Sequence, residues 1–233
     1  MTVTQVPRRP KHTDLTQEGP EQTGDGLLDS AVRALALWRG ERGGVTVVAI
    51  DGHGASGKST IAERLRAETG ASVVCTDDFF VLGGQRVLEA RRAEPTILKA
   101  PAPSVRGQAV GAFYDVTRLR AECLDELRAG RAAVYHRFDW DAGTVSAKTT
   151  RNEPNDLVLL EGVYSGSPEL ADLVDRAIYV DTPEPERLRR LRSRIAPQDW
   201  DEQWLQAEKE YFARTRQLAS FDLVIPGSGA LAP

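Results

Sequence analysis

The segment over residues 45–69 constrains the fold of this 233-residue chain more than any other stretch. The run VTVVAID at 45–51 is apolar and β-branched, which predicts a buried strand, and residues 59–69 have the composition of a helix. The turn between them, GHGASGKS at 52–59, fits the pattern G-x-x-x-x-G-K-[ST] of a phosphate-binding loop. In such a loop the glycines turn backbone N–H groups towards phosphate, and the helix that follows adds positive potential.

The same turn fits a second glycine pattern, G-x-G-x-x-G, and Asp77 lies where a dinucleotide site of that kind needs a ribose-binding acid. Lys58 and Ser59 favour the phosphate-binding loop, because a dinucleotide site has no use for an ammonium and a hydroxyl at those positions. His53 is interpreted as a filler of the loop without a chemical role. The residues predicted to hold the nucleotide are consecutive apart from His53: Gly52, Gly54, Ala55, Ser56, Gly57, Lys58, Ser59 and Thr60.

Strand-like and helical stretches alternate along most of the chain. Strands are predicted at 45–51, 71–76, 132–138, 156–163, 176–181 and 221–225, and helices at 27–39, 59–69, 115–129, 184–194 and 199–217. Strands that alternate with helices indicate βαβ units. The predicted fold class is therefore α/β, a P-loop NTPase fold with a mainly parallel β-sheet flanked by helices.

Two stretches do not follow this alternation. Residues 1–26 are polar and almost free of large apolar groups, so we expect a flexible N-terminal tail, followed by a single domain over 27–233. Residues 82–112 are rich in Gly, Arg, Pro and Ala and have no clear period. They are interpreted as an irregular insertion or lid.

Composition excludes several classes of protein. The net charge of −4 offers no broad cationic surface for nucleic acid. The sequence has no run of eighteen apolar residues and no apolar leader, so we expect neither a membrane protein nor a secreted one. The two cysteines cannot form a disulfide framework. A cytoplasmic protein with a small-molecule substrate is expected, and whether it forms an oligomer is left open.

Two carboxylates follow predicted strands. Asp77 comes directly after the strand at 71–76, where it could accept a proton from an acceptor hydroxyl and touch Mg²⁺. Glu161 ends the apolar run at 157–160, and a buried strand that ends in a charge is costly unless the charge is used. With Ser59, these two residues are the predicted metal ligands. The alternative for Asp77 and its neighbour Asp78 is a solvated turn or a helix cap.

Arg187, Arg190 and Arg194 lie at i, i+3 and i+7, on one face of the predicted helix at 184–194. Guanidinium groups there could close over a transferring phosphate as a lid. The alternative is a solvated charged face. Further along, the predicted helix at 199–217 carries Trp200, Trp204, Glu208 and Tyr211, which are interpreted as core rather than as a substrate wall.

In order along the chain, AIDGHGASGKST, TDDFF, DLVLLEG and YVDTPEPERLRRLRSR resemble the uridine kinase and phosphoribulokinase-like branch of P-loop kinases. The segment TDDFF is also similar to that of nicotinamide riboside kinases. The resemblance implies ATP and Mg²⁺ as cofactors, Lys58 on the β/γ-phosphates, Ser59 and Glu161 on the metal, and Asp77 as the base. It places Arg187, Arg190 and Arg194 in the lid.

The resemblance also implies residues that bind the acceptor. They follow from the aromatic–aspartate segment at 113–115, from the segment at 135–140 and from the second acid of DDFF: Asp78, Tyr114, Asp115, Tyr135, Phe138 and Asp139. Where the family has a histidine and an arginine after the second of these segments, this chain has Gly143 and Val145. The resemblance therefore covers phosphoryl transfer rather than recognition of a pyrimidine base.

The sequence predicts a kinase that moves the γ-phosphate of ATP to a hydroxyl of a small metabolite such as a nucleoside or a sugar. Two alternatives stay open at this point. One is a nucleotide-dependent switch or assembly ATPase without a small acceptor, and the other is a dinucleotide-binding oxidoreductase.

Overall fold

The computed structural model describes five stretches of the chain, namely residues 24–41, 43–80, 113–140, 142–194 and 201–227. The predicted insertion at 82–112, Trp200 and most of the predicted tail lie outside the described residues. So do the side chains of residues 24, 25, 194 and 201–203.

Seven strands are described. In chain order they are β1 (Thr46–Asp51), β2 (Ser72–Cys75), β3 (Ala133–Asp139), β4 (Thr144–Asn152), β5 (Leu157–Glu161), β6 (Arg176–Asp181) and β7 (Leu223–Pro226). Five of them form one sheet in the order β2-β5-β1-β6-β7, and every pair in that sheet is parallel. The predicted α/β class with a mainly parallel sheet is confirmed.

One helix precedes β1, and the others lie between successive strands of the chain. They are α1 (Gly24–Trp38), α2 (Lys58–Thr69), α3 (residues 116–128), α4 (Glu184–Arg194) and α5 (Asp201–Glu210). The middle of α3, Leu119–Leu124, has π-helical geometry, and α5 runs on into a π-helical turn at Tyr211–Thr215. A short 3₁₀ turn, Thr76–Phe79, follows β2 directly.

The central strands are apolar on both faces, because helices cover the sheet from both sides. Alternate residues of β1 and β5 contribute to two separate cores, since side chains of a strand point to opposite faces. One core joins Val48 and Ile50 to α1 and α2, and the other joins Val47 and Ala49 to α3 and β3.

The register brings the carboxyl ends of three strands to one level. Ile50 of β1 and Cys75 of β2 are both register partners of Glu161, the last residue of β5. The next residues of each strand therefore leave the sheet along the same edge. This edge receives the glycine turn after β1 and the acidic 3₁₀ turn after β2.

Two features differ from the sequence predictions. Residues 144–152, for which no element was predicted, form β4, which pairs antiparallel with β3 as a separate hairpin. Every residue of β4 is exposed or half-buried, and its sequence lacks the regular alternation of apolar and polar residues that identifies a strand. Helix α1 begins at Gly24, inside the stretch predicted as tail.

In the described part of the chain, no helix has the length and apolar character needed to cross a membrane.

Two leucines of α1 test whether this helix is an integral part of the fold. Leu35 is fully buried against the sheet, whereas Leu37 is 74% exposed. We expect Leu35→Ala to lower the free energy of unfolding by about 2–5 kcal/mol, because it leaves a cavity. Leu37→Ala, the matched control, should change it by less than about 0.5 kcal/mol. Urea unfolding measures both, and equal effects of the two substitutions would contradict the packing of α1.

Candidate active site

The glycine turn between β1 and α2 leaves the first N–H groups of α2 without a side-chain cap. Gly57, the N-cap, is left-handed with φ of 98°, and the first turn of α2 carries no acidic residue. Gly52 has φ of 147°, and a Cβ there would lie 2.7 Å from the carbonyl oxygen of Val180. The turn is thus packed closely against β6, and its uncapped N–H groups form a site for an anion.

Lys58 is buried, and its ammonium is held by the turn itself. It donates to the carbonyl oxygens of Gly52 at 2.9 Å and of His53 at 2.8 Å. Both acceptors are neutral, so the positive charge of Lys58 is not neutralised by a hydrogen-bonded carboxylate. An anion seated in the turn would meet this ammonium.

Asp51, the last residue of β1, is fully buried and accepts four hydrogen bonds. Their donors are the backbone N–H groups of Gly52, Tyr164 and Gly166 and the hydroxyl of Tyr211, at 2.8–3.0 Å. Burial raises the pKa of Asp51 even though these donors favour its charged form. One of the partners, Tyr164, has a positive φ of 69°, which is uncommon for a residue with a bulky side chain.

Ser59 and Glu161 meet at the carboxyl edge of the sheet. The Ser59 hydroxyl lies 3.3 Å from each carboxylate oxygen of Glu161, which is only 6% exposed. Burial raises the pKa of Glu161, so its charge lacks full compensation from the protein. A hydroxyl and an under-compensated carboxylate beside an anion site are ligands that suit Mg²⁺.

The predicted metal ligands do not form a complete cage. Among the described residues, no group of three or more His, Cys, Asp or Glu side chains is arranged to hold a metal ion. Mg²⁺ is usually bound by one or two carboxylates together with substrate phosphates and water. The residues present therefore fit a metal that arrives with a phosphate ligand.

Asp77 is exposed at the start of the acidic 3₁₀ turn, and one of its oxygens has a fixed partner. The Tyr114 hydroxyl donates to Asp77 Oδ1 at 2.8 Å, and the Tyr114 ring is buried. The negative charge of Asp77 acts on Glu161 and raises the pKa of that side chain further. Cys75, two residues before Asp77, is the register partner of Glu161, so the two carboxylates border the space at one edge of the sheet, as the predicted strand ends implied.

Asp78 points away from this space, towards the β3–β4 hairpin. It accepts a hydrogen bond of 3.1 Å from the Tyr135 hydroxyl and lies 3.9 Å from the Arg137 guanidinium. Burial is the largest cause that raises the pKa of Asp78. The two adjacent carboxylates therefore have different surroundings, since Asp77 is held by Tyr114 and Asp78 by Tyr135.

Two other predicted acceptor ligands have structural partners. Asp115 caps α3 by accepting from the backbone N–H of Arg118 at 3.0 Å, and Asp139 accepts from the N–H of Ala142 in the hairpin turn. Phe138 is buried in an aromatic cluster that also holds Phe80, at a ring distance of 5.0 Å. The structure thus brings together the predicted donor-side residues more closely than the predicted acceptor-side ones.

Two of the three predicted lid arginines pack against the protein. Arg187 is buried and donates to the Thr182 carbonyl at 3.1 Å, while its Nη1 has no partner among the described residues. Arg190 donates to the carbonyl oxygens of Ala55 and Gly227, at 3.3 and 3.1 Å. Arg190 therefore lies against the glycine turn and the segment after β7, and Arg187 lies against the residue that follows β6. The side chain of Arg194 lies outside the described residues.

The sequence analysis missed one contact of the glycine turn. His53, interpreted there as a filler, lies 3.2 Å through Nδ1 from Glu208, whose carboxylate also accepts from the Gly54 N–H at 2.9 Å. The signal for it was a glutamate on the same predicted helix as Trp204 and Tyr211. Its partner in the turn is 154 residues away, so spacing alone could not reveal the contact.

Comparison with known proteins adds a family. The model of the Phosphoribulokinase / Uridine kinase family matches residues 47–194. A uridine kinase from Macrococcus caseolyticus is 28% identical over 139 residues, which cover 59% of this chain and 62% of that protein. A uridine kinase from Streptococcus pneumoniae is 38% identical over 79 residues, 34% of this chain and 37% of its own length. The chain thus spans between about a third and just under two thirds of these relatives.

Solved structures share the fold. A possible uridine kinase from Bacillus stearothermophilus has a TM-score of 0.59 and 20% identity, over 86% of this chain and 98% of that one. A candidate fructose transport system kinase from a Silicibacter species has a TM-score of 0.57 and 20% identity, over 85% and 98% of the two chains. At these identities the similarity shows the fold alone.

The charge of Glu161 should cost stability when the site holds no cation. Because burial raises its pKa, the wild-type fold is less stable once this group is ionised. We expect Glu161→Gln to raise the urea midpoint of the ligand-free protein at about pH 8. The gain should be smaller at about pH 5, because a lower pH favours the uncharged form of the Glu161 carboxyl. Glu63→Gln, an exposed change on α2, should leave the midpoint nearly unchanged at both pH values. A lower midpoint for Glu161→Gln at about pH 8 would contradict this account.

Both cysteines should be unreactive in the folded protein. Burial raises the pKa of Cys123 to about 12, and burial together with the Glu161 and Asp77 charges raises that of Cys75 further. We expect iodoacetamide at about pH 8 to alkylate neither thiol in native protein and both in urea. Mass spectrometry counts the adducts, and rapid labelling of either native thiol would disprove the expectation.

Proposed function

Because the chain belongs to the phosphoribulokinase/uridine kinase family, we propose that it is a kinase that uses ATP and Mg²⁺. It transfers the γ-phosphate to a hydroxyl of a small metabolite, a nucleoside or another ribose- or sugar-like acceptor. The observation that carries the proposal is that Ser59, Glu161 and Asp77 share one edge of the sheet beside the uncapped start of α2. Phosphoryl transfer needs mainly positioning and charge neutralisation, and this edge offers both.

On the donor side, the phosphates of ATP are bound by the backbone N–H groups at the start of α2 and by those N–H groups of the glycine turn that do not already donate within the protein. The Gly52 and Gly54 N–H groups already donate, to Asp51 and Glu208. Lys58 leaves its two carbonyl partners and places its ammonium on the β- and γ-phosphates. The supporting fact is that both present partners of Lys58 are neutral carbonyls of the turn. Exchanging them for a phosphate gives a stronger, charge-assisted hydrogen bond.

Ser59 and Glu161 would hold Mg²⁺ in this proposal, and Asp77, at the same edge of the sheet, would contact it through water. The bound ion supplies positive charge that neutralises the β- and γ-phosphate oxygens. Glu161 in turn gains compensation for a charge that the ligand-free protein buries at a cost.

On the acceptor side, Asp77 orients the acceptor hydroxyl and takes its proton. The acceptor oxygen forms a bond to the γ-phosphorus as the bond from that phosphorus to the β–γ bridging oxygen breaks, and ADP leaves. Tyr114 supports this role because its hydroxyl holds Asp77 Oδ1, which leaves Oδ2 for the acceptor. The adjacent Asp78, Tyr135 and Phe138 line the side towards the hairpin, where the rest of a small polar acceptor is placed.

ADP release across a panel of nucleosides, sugars and vitamins tests the function. We expect one class of acceptor to raise release above the rate in water. Lys58→Ala and Asp77→Asn should each lower the acceptor-dependent kcat by at least about 100-fold, because they remove charge stabilisation and the base. The matched controls are Lys148→Ala and Asp125→Asn, which change the same residue types at exposed positions.

Three results would count against the kinase. Release of ADP that no acceptor stimulates would favour a switch or assembly ATPase. An Asp77→Asn variant with the full transfer rate would remove the proposed base. Binding of NADH in place of ATP, measured by fluorescence titration, would favour the dinucleotide-binding oxidoreductase.

A further inference from the structure

Glu208 on α5 is a carboxylate with no exposed surface, and its two oxygens face different parts of the molecule. Oε2 accepts from the backbone N–H of Gly54 at 2.9 Å and lies 3.2 Å from Nδ1 of His53. Oε1 accepts from the indole N–H of Trp204, one helical turn earlier. One side chain therefore touches the tip of the glycine turn and an aromatic residue of α5.

The close approach of Glu208 explains why residue 54 is glycine, which its backbone conformation does not explain. Gly54 has no positive φ, so its backbone would accept other residues. A Cβ at this position, however, would lie 3.0 Å from Oε1 of Glu208, which is closer than an unstrained contact. The second glycine of the G-x-G-x-x-G pattern thus makes room for a protein carboxylate.

Burying a carboxylate is costly unless every donor around it is well placed. The contacts of Trp204 show what the second oxygen holds in position. Its ring packs edge-on against Phe113 at 4.8 Å and contacts Tyr164 at 6.0 Å and Tyr114 at 6.5 Å. We call these four residues the acceptor-side wall, because one of them, Tyr114, holds the proposed base Asp77 through its hydroxyl.

Lys58, His53 and Glu208 form a chain of contacts through which a phosphate bound in the turn can affect Glu208. Lys58 donates to the carbonyl of His53, the same residue whose ring meets Glu208. A phosphate in the turn draws the ammonium away from that carbonyl and brings negative charge towards the Glu208 carboxylate. The peptide of residue 53 and the carboxylate must then adjust together, because Gly54 and His53 share Oε2.

We propose that Glu208 is a positioning residue that joins the tip of the phosphate-binding turn to the acceptor-side wall, so that bound nucleotide sets the position of that wall. The inference deepens the proposed function and rests on it for the identities of donor and acceptor. Its thermodynamic content is a coupling between two sites, which acts equally in both directions. Nucleotide strengthens acceptor binding by the same factor by which acceptor strengthens nucleotide binding.

Tryptophan emission on addition of Mg·ADP is the direct test, with calorimetry as an independent record of Mg·ADP binding. We expect a change of emission in wild type that is lost in Trp204→Phe, which assigns it to this residue, and kept in Trp38→Phe. Glu208→Gln should bind Mg·ADP yet lose the change, because an amide cannot accept from both the turn and the indole. The matched control is Glu210→Gln, on the same helix, where the only described hydrogen-bond partner of the side chain is Gln206.

A second measurement covers the case in which Glu208→Gln does not fold. Trp204→Phe keeps an aromatic ring but removes the five-membered ring of the indole with its N–H, so it cuts the same connection from the other side. We expect Mg·ADP to slow hydrogen exchange of residues 113–118 in wild type but not in Trp204→Phe. With the acceptor found in the panel, Glu208→Gln and Trp204→Phe should each raise its KM by about tenfold, and the two effects should not add.

The outcomes separate this inference from the proposed function. Calorimetric binding of Mg·ADP with no emission change at Trp204, or an unaltered change in Glu208→Gln, would overturn the inference and leave the kinase intact. A coupled emission change without any acceptor-dependent ADP release would support the inference and contradict the kinase. No calorimetric binding of Mg·ADP would overturn both.

Discussion

The carboxylate of Asp51 is the interaction on which the site depends. It ends the central strand β1, and its four donors come from the glycine turn, from the segment after β5 and from the end of α5. A buried charge of this kind is tolerated only when its partners are fixed in place, since an unmet donor or acceptor costs about 1–3 kcal/mol. The left-handed backbone of Tyr164 is explained by this contact, because its N–H must point back at Asp51. Three segments distant in sequence thus take their positions from one side chain.

Sequence patterns predicted the parts of this structure that are local. The glycine turn, the strands and the carboxylates at the ends of β2 and β5 depend on residues within a few positions of one another. The register then brings Cys75 and Glu161 to one level, which places Asp77 near Glu161 as the pattern implied. The missed features are contacts over long separations, such as Glu208 with Gly54, or polar segments such as β4. No periodicity in the sequence encodes either of them.

The acceptor side shows why a family motif does not by itself identify a ligand contact. Aspartates and tyrosines are good binders of sugar hydroxyls, but they are equally good caps and hydrogen-bond partners for the protein. Asp115 caps a helix, and the Tyr114 and Tyr135 hydroxyls are donated to Asp77 and Asp78. In this structure the two tyrosines therefore hold carboxylates of the protein. The conformation of the glycine turn was easier to predict, because it depends on glycines that lie close together in the sequence.

The strand order has a consequence for how the chain acquires its site during synthesis. The two neighbours of β1 in the sheet are β5 and β6, so the backbone of Thr46 cannot pair until Leu157 has been synthesised. Strand β2 also pairs with β5. The central sheet therefore cannot begin to assemble until the ribosome has released more than half of the chain, and the backbone edges of β1 and β2 stay unpaired until then. A newly made chain would need protection from aggregation over this interval, and its glycine turn would have no rigid strand behind it.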